Sequence, residues 1–201
     1  MTVAILTGDI VKSTKLSQTE RETLFSALKT TADVVADWQG TSTLFTRFSG
    51  DGWQCMLTNP ALALRVCLLF RSHIRQLSKT FDTRIFVGIG AVENLSDDGL
   101  GASDGRALRL SGRGLTGLRP AQYFGASENN AVFVLADEIS RHWTQKQAEV
   151  FTLGLQPNAP SQEAIAEKLG VSQQAIAKRL RAGGEAALLS ACVEMEQINN
   201  S

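Results

Sequence analysis

The feature that most constrains this chain is the stretch Leu44–Leu57, LFTRFSGDGWQCML. Two apolar, β-prone arms flank Ser49-Gly50-Asp51-Gly52, and Asp-Gly between such arms is a strong short-range hairpin signal. The pattern predicts strands over Thr43–Phe48 and Trp53–Leu57, with the Asp51 carboxylate at the tip. A second carboxylate, Asp9, ends the apolar run Val3-Ala4-Ile5-Leu6 in the string LTGDIVKST. Alone, Asp51 reads as a turn residue and Asp9 as a cap for the turn that follows it. Together, two strand-end carboxylates can hold a hard divalent cation against phosphate oxygens.

The remaining elements follow in order. Val3–Gly8 is a buried strand. Ser17-Gln18-Thr19-Glu20 is a capping box for a helix reaching Trp38, closed by Gly40. Asn59-Pro60 opens a helix that continues to Leu77. Thr83–Val92, TRIFVGIGAV, is a central strand whose glycines allow close backbone approach. Asn94–Gly101 is a polar loop, and Ala102–Leu115 a helix carrying Arg106, Arg109 and Arg113. Gly117–Glu128 is irregular, and Ala131–Leu135 is one more strand. The order β-α-β-β-α-β-α-β predicts an α+β domain of ferredoxin-like plan, a mainly antiparallel sheet with covering helices, over residues 1–136.

Residues 137–201 hold no further strand pattern. Helices start at Thr144, Ser161, Ser172 and about Glu185, with a Pro-rich break at 156–160 and Gly170 as a turn. Ala166, Leu169, Val171, Ile176 and Leu180 are spaced to pack two of these helices together. Helix, Gly-Val-Ser, helix is a helix-turn-helix signature, and such a unit puts its second helix in the DNA major groove. The expected exposed positions are Ser172, Gln173, Gln174, Lys178, Arg179 and Arg181, where Gln pairs with adenine and Lys or Arg with guanine or phosphate. The other reading of this hairpin is packing or dimerisation.

Composition limits the partners. The 201 residues are 43% hydrophobic and 20% charged, enough for a core in one ordinary domain and a small second one. Net charge is zero, so contact with nucleic acid has to come from a local basic face. Cys55, Cys67 and Cys192 sit among apolar neighbours and read as buried thiols in a reducing compartment. There is no CxxC or Cys/His cluster for zinc, no signal-peptide pattern and no membrane-length apolar run, so a cytoplasmic protein is expected. His73 and His142 have no acid or cysteine partner nearby in sequence and read as surface or helix-end residues.

Three motifs occur in order: LTGDIVKST, RFSGDGWQCML, and RIFVGIGAV followed by GASDGRALRLSGR. Together they resemble the class III nucleotide cyclase fold, and more closely the small bacterial SatD family, over Thr2–Leu135. Thr144–Cys192 resembles the four-helix modules of LuxR and sigma-factor type regulators. The first resemblance implies that Asp9 and Asp51, helped by the Ile10 carbonyl, bind Mg²⁺ or Mn²⁺. It implies that Val11, Lys12, Ser13 and Thr14 face the phosphates of a nucleoside triphosphate. Arg109, where cyclases carry Asn, and Arg113 take the transition-state positions. Arg47 takes the place of the base-reading lysine, and Ala102 that of its partner aspartate. Cyclase sites form between two subunits, which implies a homodimer. Such a dimer would also suit DNA half-sites.

Three functions fit these residues. The favoured one is a DNA-binding transcriptional regulator whose cyclase-like domain senses nucleotide or metal, or dimerises. The alternative is an active cyclase that converts a nucleoside triphosphate to cyclic nucleotide and pyrophosphate. The third is an interaction module that kept the fold and lost both ligands.

Overall fold

A computed structural model describes residues 1–48, 50–96 and 99–198. Ser49 of the expected turn and Asp97 and Asp98 of the expected loop lie outside the described residues. The described residues form five strands and eight α-helices, and up to Thr116 the order of strands and helices is the expected one.

β1 (Thr2–Ile10) is central. It pairs antiparallel with β3 (Gly52–Leu57) on one side and with β4 (Thr83–Ala91) on the other. β2 (Thr46–Phe48) extends the sheet beyond β3, and β5 (Phe124–Ala126) runs parallel to β4 at the far edge. The order β2-β3-β1-β4-β5 is therefore the antiparallel split-βαβ plan with a parallel strand added. β1 is central because its residues are apolar on both faces. Ala4, Leu6 and Ile10 enter the larger core with α1 (Gln18–Gln39) and α2 (Ala63–Arg75). Val3 and Ile5 meet Ala107 and Leu108 of α3 (Arg106–Thr116) on the opposite face.

Two glycines set these distances. The Trp53 indole lies over Gly8, where a Cβ would come within 2.4 Å of the ring. α3 lies so close to β4 that a Cβ on Gly88 would meet the Ala107 carbonyl at 2.1 Å. This is the close approach expected of the glycine-rich strand. α1 starts at the Ser17–Glu20 capping box and ends at Gly40 in the left-handed conformation (φ 65°).

Two elements are shorter than the sequence reading, β2 (Thr46–Phe48 rather than Thr43–Phe48) and α3 (from Arg106 rather than Ala102), and two differ in kind. Ala131–Leu135 is not a strand but the body of α4 (Asn130–Ser140). The β-prone run Ala-Val-Phe-Val-Leu forms a helix because Phe133 and Ala136 are buried together at helical spacing, while Val134 and Leu135 stay exposed. β5 lies inside Gly117–Glu128, a stretch with no strand signal; its three residues are held by β4.

α4 also spans the expected boundary at 136/137. Beyond it lie α5 (Gln145–Gly154), α6 (Gln162–Leu169), α7 (Gln173–Ala182) and α8 (Glu185–Ile198). Thr144 forms a capping box with Gln147, Ser161 and Ser172 cap α6 and α7, and Gly170 makes the turn between them (φ 64°). Trp143 stacks on Phe151 at 4.1 Å and donates from Nε1 to the Gly183 carbonyl at 2.8 Å. Ile165, Ala166, Ile176 and Leu180 are buried in the same core cluster as the sheet face.

α2 is the shared element. It packs against α1 and the sheet on one side and against α5 and α8 on the other. Arg65 grips Glu196 of α8 through Nε at 2.6 Å and Nη2 at 3.0 Å. Arg71, with no exposed side-chain surface, pairs with Asp82 at 3.0 Å and Asp137 at 2.8 Å. It also donates to Ser140 Oγ at 2.6 Å and lies over the Phe124 ring at 3.8 Å.

Cys55, Cys67 and Cys192 are free and buried, as expected. Burial raises all three thiols, that of Cys192 to about 12. Among the described residues, no helix is long and apolar enough to cross a membrane.

Candidate functional site

The β1 register sets the site. Asp9 lies opposite Gly52 of β3 on one side and Arg84 of β4 on the other. One residue on, the Ile10 amide donates to the Asp51 carbonyl at 3.2 Å, and the Val11 amide donates to the Asp82 carbonyl at 3.0 Å. The two expected aspartates are thus neighbours at one end of the sheet. The Asp9 backbone is fixed by a relay: Trp53 Nε1 donates to Thr83 Oγ1 at 3.0 Å, and Thr83 Oγ1 donates to the Asp9 carbonyl at 2.7 Å.

Both carboxylates already have partners. Arg84 donates from Nε to Asp9 Oδ1 at 2.8 Å and from Nη2 to Oδ2. This fork-to-fork pairing takes both oxygens. Arg84 is held above its usual value by the Asp9 hydrogen bond first, with partial burial opposing and the charges of Asp9 and Asp51 adding. Asp51 Oδ2 accepts from Ser13 Oγ at 2.5 Å. Arg84 occupies both Asp9 oxygens, so a two-carboxylate divalent site at Asp9 and Asp51 requires the guanidinium to give way. Among the described residues, no cluster of three or more His, Cys, Asp or Glu supplies a metal site elsewhere. Arg84 had no signal in the sequence beyond opening a strand; its partner is 75 positions away.

The loop after β1 separates two openings. Ser13 and Thr14 line a groove of about 450 Å³ with Arg47 and Asp51. Val11 and Lys12 line another cavity. Arg47 is not free to read a base: it donates to Glu22 at 3.0 Å and lies over the Phe25 ring at 3.8 Å. Ile10 is buried.

The expected transition-state arginines are not joined to the aspartates within the chain. Arg109 donates to Asp104 at 2.7 Å and lies 3.8 Å from Glu93, beyond the end of β4 opposite Asp9. Arg113, one turn on, is exposed, with no ion-pair partner among the described residues.

On α7, Gln173, Gln174, Lys178 and Arg181 are exposed, as expected. Ser172 is exposed too, but its hydroxyl caps the helix by accepting from the Ala175 amide at 3.2 Å. Arg179 departs from the expectation: its side chain is 17% exposed and turns back to Glu149 of α5 at 3.5 Å. His73 lies in the last turn of α2, a helix-end residue as expected, but it is only partly exposed. Its Nδ1 bonds the Thr31 hydroxyl at 2.8 Å, and burial lowers it to about 4. His142 is exposed at the end of α4, 3.4 Å from Glu138.

Comparison with known proteins adds little to this geometry. No protein-family model matches the chain, and no curated protein matches it. Among solved structures, the crystal structure of the guanylyl cyclase Cya2 is similar with a TM-score of 0.47 and 17% identity, covering 67% of this chain and 78% of that one.

Proposed function

We propose that this chain is a DNA-binding regulator that contacts DNA through α7. Its α+β portion, related in plan to the SatD and class III cyclase folds, senses a nucleotide or metal–phosphate group or holds two copies together. The observation that carries the reading is the face of α7. Gln173 and Gln174 stand exposed in its first turn and Lys178 and Arg181 further along, while Ile176 and Leu180 anchor the helix. Base-reading side chains near the start of a second helix, with cations behind them, suit a major-groove contact. The neutral chain gives no long-range attraction, so affinity rests on these few cations.

The test is duplex binding at several salt concentrations, first with a random-sequence pool and then with any selected site. Lys178→Ala and Arg181→Ala are expected to weaken binding and to lower the salt slope by about one each, with unfolding unchanged. A parent protein that binds no duplex, or a double variant that binds as the parent does, sinks the reading.

The adjacency of Asp9 and Asp51 beside the Ser13–Thr14 groove favours one second reading, a metal-dependent class III-type cyclase working as a homodimer. Mass spectrometry after incubation with Mn²⁺ and each nucleoside triphosphate decides it. Cyclic nucleotide that disappears in Asp51→Asn supports it, and no product with any triphosphate removes it.

A further inference from the structure

We infer that the cavity between the β1–α1 loop and the end of α2 is an anion site for a phosphorylated small molecule of nucleotide size. The cavity holds about 570 Å³, within the range of small-molecule pockets and well beyond a bare phosphate. Its walls carry five formal positive charges, Lys12, Lys15, Arg75, Lys79 and Arg141, against two carboxylates, Glu20 and Asp82. The surplus lies in a chain whose net charge is zero.

Both carboxylates are already engaged. Glu20 accepts from the Ser17 amide and hydroxyl, each at 2.8 Å. Asp82 is held by Arg71 at 3.0 Å and by Arg75. Arg141 pairs with Glu138, outside the cavity. That leaves Lys12, Lys15 and Lys79, none of which has an ion-pair partner among the described residues. Arg75 and Arg141 each also keep a buried Nε–H with no acceptor among the described residues. Lys12, Lys15 and Lys79 are exposed, so water solvates them when the cavity is empty, and three such cations around one concavity suit a ligand with several phosphoryl charges.

The backbone supports this arrangement at two places. Lys12 holds a left-handed conformation (φ 55°) that glycine would adopt at lower cost. Ala121 is also left-handed (φ 64°), and its carbonyl accepts from Arg141 Nη1 at 2.7 Å. Two residues on, Tyr123 contributes an aromatic surface to the wall, suited to a base or other flat group. The site shares no lining residue with the Asp51 groove. Its far wall, Arg141 and His142, directly precedes Trp143 and the first helix of the tail. An occupant would therefore bridge the β1 loop to the root of the tail. None of this depends on the aspartates binding metal.

Calorimetric titration of the full chain with ATP and with inorganic pyrophosphate, both in EDTA, tests the inference. One-to-one ATP binding without divalent metal is expected, falling with salt and retained in Asp51→Asn. A loss of at least tenfold is expected in Lys79→Glu, and a smaller loss in Lys15→Ala, with thermal unfolding of both variants unchanged. No binding of ATP by the parent would overturn the inference. So would binding lost in Asp51→Asn but kept in Lys79→Glu, or binding of pyrophosphate alone.

Discussion

Two arginine–carboxylate groupings, one packed against the sheet and one at its end, have opposite settings. Arg71 is sealed between α2, the start of β4 and α4, and the side chains of Asp82 and Asp137 are 5% and 3% exposed. Arg84 and Asp9, at the end of the sheet, are 38% and 19% exposed. The chemistry of the two pairs is the same and its consequence is not. A sealed pair cannot be broken without leaving a charge out of water, so it fixes how three elements meet. A half-open pair trades its partner for solvent at little cost, so it leaves a carboxylate that another cation can claim. Exposure, rather than residue type, separates the structural pair from the exchangeable one.

The largest expected effect tests the sealed pair. Arg71→Met should lower unfolding free energy by about 3–5 kcal/mol, because Asp137 is left buried without its cation. Urea unfolding with a change under about 1 kcal/mol would erase the contrast.

His73 probes a mostly sealed group with no opposite charge beside it. Its folded value, about 4, lies below the ordinary 6.5. The unfolded chain therefore binds the extra proton first. The contribution is complete above pH 6.5 and is lost as pH falls towards 4. The loss should reach about 3 kcal/mol at most, and His73→Gln should flatten that part of the stability–pH curve. A parent curve that is flat over the same window would break the assignment.

The smallest stability effect belongs to the half-open pair. Arg84→Met should cost under about 1 kcal/mol, yet it should create measurable Mn²⁺ binding by freeing Asp9 beside Asp51. Calorimetry in which parent and variant bind Mn²⁺ equally would show that the guanidinium and the metal do not compete.

Much of the fold was legible because its signals are local. The Ser17–Glu20 box, Gly40, the Asp-Gly hairpin, Gly170 and the serine caps each act within a few residues, and each appears where expected. α4 misled because its residues prefer strands individually, while the burial of Phe133 and Ala136 decided the helix. β5 carries three residues and exists through its parallel partner, a contact no window of sequence contains. For the candidate site, the neighbourhood of Asp9 and Asp51 was readable from two strand ends. Their occupancy by Arg84 and Ser13 was not, since cross-strand register set the first pair and loop closure the second. Arg179 failed for a related reason: helical spacing gives the face of α7 but not that Glu149 draws one side chain back.

The double burial of α2 bears on how such a chain can be inherited. A helix that serves the sheet on one side and α5 and α8 on the other has no side free to evolve alone. A tail borrowed from elsewhere would meet Arg65 without Glu196 and would uncover apolar surface along the helix. Sheet and tail are thus poor candidates for shuffling between genes, and substitutions on one side of α2 have to be answered on the other.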